Sequence, residues 1–254
     1  MYRVLATPRW LGLGALALLL AATMVGLGWW QLHRYQQRSA VNARIDASTG
    51  AMPVALATVV PAPSGTGHAG PAPSPEAAWT RVRVTGHFDQ PHEVLVRNRT
   101  LDGVVGFEVL TPLVLDDGSA VLVDRGWLRA PAGGAMVVPQ VPPPPPGQVT
   151  VTGPVRLPES RAGAPVRVEG RLQTRRIDPA RLAPQLPYPL YGAYLTVDAQ
   201  DPPAAAGLTP IPPEHQNALQ NAGYVVQWWF FAALTLVGFG YLARREAQQL
   251  AAVG

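Results

Sequence analysis

The sequence contains no cysteine and no lysine, and it is poor in charge of either sign. Without cysteine there is no disulfide framework, no thiolate nucleophile and no thiolate metal site, and oxidising and reducing compartments are equally permitted. Without lysine all 20 basic residues are arginine, a bias that fits the codon usage of a bacterium with a GC-rich genome and carries no function by itself. Charged residues make up 14% of the 254, against about 25% in an ordinary soluble domain, and that deficit points to a membrane. A G-x-S-x-G elbow, a phosphate loop and a dinucleotide fingerprint are also missing, so no common catalytic scaffold is marked. Five histidines are present, His33, His68, His87, His92 and His215. None pairs with another at the i, i+4 spacing of a helical zinc site, so neither a metal site nor an enzyme is expected.

What charge there is sits unevenly. Residues 46–214 hold 13 Arg against 15 Asp and Glu, net −2, whereas the two ends together hold 7 Arg against 1 Glu, net +6. The basic excess therefore flanks the apolar runs, and a nucleic-acid partner is not expected.

Residues 11–30, LGLGALALLLAATMVGLGWW, are 20 residues without a charge, enough at about 1.5 Å per residue to cross the roughly 30 Å hydrocarbon core. The run exceeds a signal-peptide core and is followed by bulky Trp29, Trp30 and Gln31 rather than a small-residue cleavage site, which predicts a retained transmembrane helix. Residues 224–243, YVVQWWFFAALTLVGFGYLA, form a second such run, with Gln227 its one strongly polar side chain. Arg244 and Arg245 follow it at once, and no arginine lies between Arg181 and that point. The positive-inside rule then places both termini (1–10 and 244–254) in the cytoplasm and the middle of the chain outside the cell membrane. Arg3 and Arg9 agree, while Arg34, Arg38 and Arg44 oppose it.

Residues 31–78 read as a juxtamembrane segment and a Pro/Ala/Gly-rich linker. A β-rich domain is expected over 79–200, with strands in 79–88, 92–99, 104–115, 119–127, 149–157 and 191–199. DDG at 116–118 marks a hairpin turn, 141–147 is polyproline spacer, and 178–186 is a short helix opened by Asp178 and Pro179. Residues 201–223 complete the pattern as a second linker. The expected fold is thus two transmembrane helices flanking an extracytoplasmic antiparallel sheet or partly open barrel.

Polar residues gather at the outer ends of both spans. Trp30, Gln31, His33 and Arg34 close the first; Tyr224, Gln227 and Trp228, at i, i+3 and i+4, share a face of the second. An aromatic belt with snorkelling arginines accounts for Trp and Arg. It does not account for Gln227, which is expected to pair with Gln31 or His33 across the helices.

Three stretches resemble a known family. LGWWQLHR (27–34) is similar to an L-G-x-W-Q-L-x-R signature, RNRTLDGVVGFEVLTPLVL (97–115) with AVLVDRGWL (120–128) to R-x-x-x-G-x-x-G-[FY]-x-V-x-T-P-L and V-L-V-[ND]-R-G-W, and GYVVQWWFFA (223–232) to Y-A-x-Q-W-[FW]. Together, in this order, they resemble the SURF1/Shy1 family of cytochrome c oxidase assembly factors. The resemblance implies a non-enzymatic membrane protein that helps haem a reach the core subunit of an aa3-type oxidase, holding the haem transiently. Its implied partners are that subunit, the haem a synthesis machinery and the lipid bilayer. In bacterial relatives a histidine before the second-helix tyrosine, in an H-L-x-Y pattern, has been proposed to ligate the haem. Asn221 stands at that place here. His33 and His215 remain as candidate ligands, with Arg34, Tyr224 and Gln227 as candidate contacts and Arg34, Arg125 and Arg129 as partners for propionates.

The DRGW sequence at 124–127 leaves two readings open. Either Arg125, Gly126 and Trp127 form a rim that docks on the helices or a partner, or Trp127 closes the barrel core with Arg125 paired to an acid such as Asp124.

Overall fold

A computed structural model describes residues 7–134 and 137–253. These residues fall into two compact units, one formed by residues up to 43 and from 214 onward, the other by residues 44–213. Arg3 lies outside the described residues.

The first unit is an antiparallel pair of long helices, α1 (Pro8–Ser48) and α3 (Ala218–Val253). Both are long and apolar enough to cross a membrane. With Pro8 at its first residue, where the missing N–H costs nothing, α1 runs 41 residues, or about 60 Å. Uninterrupted helix therefore continues well past the expected span of 11–30, and α3 starts six residues before the expected 224. Small residues lie at the contact, with Ala17, Ala21, Ala232, Ala243 and Ala247 buried, which lets two backbones approach without a cavity. Trp10 meets Phe239 edge-on at 5.8 Å, and Trp29 meets Trp229 at 5.9 Å. Gly28 sits directly under Trp229, where any β-carbon would collide with the indole.

The second unit is built on ten strands: β1 (Val54–Ala55), β2 (Arg81–Phe88), β3 (Val94–Leu101), β4 (Val104–Val114), β5 (Ala120–Arg129), β6 (Gln148–Arg156), β7 (Val166–Val168), β8 (Arg171–Thr174), β9 (Leu190–Thr196) and β10 (Ala199–Asp201). A short helix, α2 (Pro179–Leu182), precedes β9; Asp178 caps it by accepting from the N–H of Ala180. Strands β2, β6, β9, β5 and β4 pair in a ring that closes where His87 and Phe88 of β2 meet Val114 and Leu113 of β4. The expected barrel is thus present as a five-stranded one of OB type. Pairing is mixed rather than purely antiparallel, since β5 with β9, β3 with β8 and β1 with β2 run parallel. The β5-to-β9 connection is long enough for the crossover that a parallel pair requires.

Alternating valines of β2, β5 and β6 (Val82, Val84, Val121, Val123, Val149, Val151) fill the barrel with Leu113 and Leu195. Strand β5 is buried on both faces, because Ala120 and Leu122 point the other way into a second cluster with Val94, Val96, Ile177 and Leu182. Burial on both sides is why its sequence shows an unbroken apolar run instead of alternation.

The segment 45–78 is not a free linker. Ile45, Leu56 and Val60 are buried and β1 extends the sheet beside β2. Beyond the end of α1 at Ser48 it forms only two short 3-10 turns and β1, yet the few apolar residues it has find the barrel, and Gly70 donates its N–H to the carbonyl of Leu190 at 2.8 Å. Within 201–213, likewise, Thr209 exchanges two backbone hydrogen bonds with Trp127, at 2.7 and 2.8 Å.

Candidate functional site

The helix unit carries a chain of polar contacts along three turns of α1. Asn221, buried on α3, donates from Nδ2 to Oε1 of Gln31 at 2.6 Å and accepts at Oδ1 from Nη1 of Arg38 at 2.9 Å. The same Arg38 nitrogen donates to the carbonyl of Asn217 at 3.0 Å. One turn on, Asn42 donates to the carbonyl of Gln216 at 2.9 Å and accepts from its N–H at 2.8 Å. These contacts satisfy backbone groups next to the start of α3, where helical partners are missing.

The expected pairing of Gln227 with Gln31 or His33 is not what forms. Gln227 is exposed. It lies six residues after Asn221, about two-thirds of a turn off the contact face, so Asn221 meets Gln31 instead. His33 and Arg34 are also exposed and, with Trp30 at 56% exposure, occupy one outward face of α1 at i, i+3 and i+4. On α3, Tyr224 is 40% exposed and Trp228 half-buried, while His215 is exposed ahead of that helix.

In the barrel unit, strand β5 delivers its polar end into a buried charge cluster. The Arg125 and Glu93 side chains are each 1% exposed and 3.1 Å apart. Glu93 also accepts from Thr111 at 3.0 Å and from Arg171 at 2.9 Å, and Arg125 donates to the carbonyl of Pro142 at 3.0 Å. Burial holds the Glu93 carboxyl above its usual range and lowers the Arg125 guanidinium, each opposed by the partner's charge. Asp124 is fully buried apart from that pair. Desolvation and the nearby Glu108 carboxylate raise its pKa well above normal, opposed by the Gly126 N–H that it accepts at 3.2 Å. Glu108 in turn meets Arg99 at 2.8 Å, and Arg99 meets Glu159 at 2.6 Å.

Trp127 is 7% exposed; its indole donates to the carbonyl of Arg99 at 2.9 Å. Gly126 has φ +135°, and a β-carbon there would stand 2.8 Å from the carbonyl oxygen of Thr209. The second reading of DRGW therefore holds, with the acid changed: Trp127 closes the domain, and Arg125 pairs with Glu93 rather than Asp124. Arg125 and Trp127 are thus buried within the barrel unit rather than presented on its surface, and the Arg125 guanidinium is already engaged by Glu93. Arg129 is exposed.

Among the described residues no three His, Cys, Asp or Glu side chains gather as a metal site. Comparison with known proteins gives a match to the SURF1 family over residues 18–233. The chain belongs to the SURF1 family. A SURF1-like protein of Mycobacterium tuberculosis is 35% identical over 248 residues, covering 95% of this chain and 86% of that protein. A SURF1-like protein of Monosiga brevicollis is 34% identical over 114 residues, 41% of this chain and 40% of its own length. The cytochrome oxidase assembly protein SHY1 of Saccharomyces cerevisiae is 28% identical over 103 residues, 40% of this chain and 24% of its own.

In this SURF1 member the structure unites Gln31 of the first motif with Asn221, just before the third, and explains Arg125, Gly126 and Trp127 of the second as barrel architecture. It leaves Trp30, His33, Arg34, Tyr224 and Gln227 on outward faces. Sequence reading passed over Arg38, Asn42, Glu93 and Arg171. Arg38 was open to detection, lying seven residues after Gln31 and so on the same face. Glu93 gave a fainter signal: a single acid at the head of the apolar run 94–96, in a chain with seven arginines between 156 and 181 that need partners.

Proposed function

We propose that this protein is an assembly factor for an aa3-type cytochrome c oxidase, assisting haem a insertion into the core subunit or stabilising that subunit, without catalytic turnover. The observation that carries this reading is the SURF1 match from 18 to 233, which runs from within α1 through the whole barrel into α3. The likeness to SHY1, described as a cytochrome oxidase assembly protein, supports it. In this reading the protein sits in the cell membrane with both termini cytoplasmic and the barrel outside, and works with the core subunit and the haem a synthesis machinery.

In this reading haem a would be held at the outward face of α1. Asn221 offers no imidazole, and both ends of its side chain are already engaged. The exposed His33 imidazole would hold the haem iron, with Arg34 beside it for a propionate and His215 as the other candidate ligand. The haem supplies the redox centre of the finished oxidase; this chain only holds and orients it.

The engaged state of Asn221 favours one second reading, a membrane tether that binds oxidase subunits and never touches haem. Deleting the gene and recording reduced spectra of whole membranes tests the main proposal. Loss of haem a absorbance, restored by the intact gene, is expected; unchanged haem a content overturns it. Complementation with a His33→Ala, His215→Ala double variant then decides between carrier and tether, the carrier requiring failure and the tether full rescue. A parallel spectrum of the protein purified from cells making haem a, with His33 and His215 replaced in turn, names the ligand.

A further inference from the structure

The barrel unit holds a cavity of about 270 Å³ that neither the oxidase reading nor the buried charge cluster uses. Arg156, Trp79, Arg81 and Asp198 line it, with an apolar wall from Pro154 and Ile211. Arg156 sits over the Trp79 indole, its guanidinium carbon 4.0 Å from the ring centroid. That guanidinium lies within electrostatic reach of the buried Glu108 and Asp124 carboxylates, and among the described residues no hydrogen bond occupies its N–H edge. Arg81 differs: it is 3.3 Å from Asp198 and donates to the carbonyl of Ala51 at 3.3 Å. Among the residues that line the cavity Arg81 is thus taken up by Asp198, and Arg156 keeps the N–H edge of its guanidinium open to a ligand.

Trp79 is held at φ +72°, a conformation uncommon for any residue with a side chain and costly for a bulky one. Its N–H donates to the carbonyl of Val155 at 2.8 Å, next to Arg156 itself. The backbone thus accepts strain at the one position that places an indole beneath the arginine. An indole packed under a guanidinium fixes its plane and leaves its N–H edge to a ligand.

We propose that this cavity binds a small monocarboxylic acid, its carboxylate gripped by the edge of Arg156 and its short apolar part against Pro154 and Ile211. A planar fork matches a carboxylate in a bidentate way. A dianionic phosphate matches less well, because Asp198 repels a second negative charge. The volume lies just below the roughly 300–1,000 Å³ of sites for drug-sized ligands, which admits a small acid and excludes a haem macrocycle. Binding of this kind is independent of any oxidase role.

Benzoate and inorganic phosphate, titrated into the full-length protein in dodecyl maltoside and followed by saturation-transfer NMR for benzoate and by competition for phosphate, are the test. Saturable benzoate binding is expected, about tenfold or more weaker in Arg156→Gln with an unchanged circular dichroism spectrum, and intermediate in Arg156→Lys, which keeps charge but loses the fork. Asp198→Asn is expected to tighten benzoate and to admit phosphate, an outcome that a merely structural Arg156 does not give. No saturable benzoate signal, equal binding by wild type and Arg156→Gln, or preference of the wild type for phosphate overturns the proposal. Should Arg156→Gln unfold, Asp198→Asn decides alone: unaltered affinity for both anions overturns it.

Discussion

Asn221 joins α3 to α1 by giving its amide N–H to Gln31 at 2.6 Å, across 190 residues of sequence. The same amide oxygen takes a bond from Arg38, so a single short side chain closes both ends of one interhelical link. Interhelical side-chain bonds in membrane proteins contribute about 0.6 kcal/mol on average and up to about 1.7. A double-mutant cycle of Gln31→Ala and Asn221→Ala is expected to return a coupling near the upper value, because Asn221 is buried and its amide has both ends engaged. The natural chain has no cysteine, so dyes on Leu11→Cys and Tyr241→Cys, two exposed positions at the Trp10–Phe239 end, report helix separation during detergent-induced unfolding. Additive single effects would show that the link is incidental.

Arg125 and Glu93 make a different kind of contact, since each is 1% exposed. Removing one member of a buried pair strands the other charge and costs about 3–5 kcal/mol, whereas replacing both with apolar residues is often nearly neutral. Arg125→Leu is therefore expected to lower the barrel's melting temperature sharply. Adding Glu93→Leu is expected to recover part of that loss, because Arg171 is 37% exposed and can turn to water. Thermal unfolding by circular dichroism checks both; a double variant less stable than Arg125→Leu contradicts the stranded-charge account.

Gly126 and Trp127 bind the far end of β5 to residue 209. Gly126→Ala is expected to cost about 1–3 kcal/mol in strain, added to the close contact with the Thr209 carbonyl. Trp127→Ala opens a cavity and is expected to cost about 3–5 kcal/mol, so protein abundance should fall together with oxidase haem. If Trp127→Ala kept wild-type abundance and melting temperature while oxidase haem fell, Trp127 would be working at a partner surface instead.

These outcomes separate what sequence order conveys from what it conceals. Strands β2, β4, β5 and β6 could be read because period-2 valines or unbroken apolar runs are local signals. Strands β1, β7 and β8 have two to four residues each, too short for any period to register, and β8 owes its place to a parallel partner far away in the chain. The packed segment 45–78 was hidden by composition: Leu56 and Val60 belong to a short apolar patch ahead of a stretch rich in proline and glycine, and their burial depends on a barrel they do not belong to. At the helix pair, glutamine in an apolar run at 227 drew attention because it is conspicuous there. Asn221 stood out only as the residue in place of a histidine, and only the register of two antiparallel helices shows that it pairs with Gln31 and Arg38. The acid partner of Arg125 was equally hidden, since Asp124 is adjacent in sequence yet points to the opposite face of β5.

Asp124 also sets a pH dependence. Its folded-state pKa is raised by burial and by Glu108, while in the unfolded chain it titrates near 3.9. A carboxyl that is easier to ionise unfolded than folded contributes stability fully below the unfolded value. That contribution is lost as pH climbs toward the folded value. Asp124→Asn keeps an oxygen to accept from the Gly126 N–H and removes the ionisation, and it matches the Asp-or-Asn position of the sequence motif. The melting temperature of Asp124→Asn minus that of the wild type is therefore expected to be small in acid, to grow as pH rises above about 4, and to level off once the folded carboxyl ionises. Residues with lowered values, such as Asp117 with its Ser119 hydrogen bonds, titrate alike in both proteins and cancel in this difference. A difference constant across the pH series would mean that Asp124 ionises as readily in the barrel as in the unfolded chain.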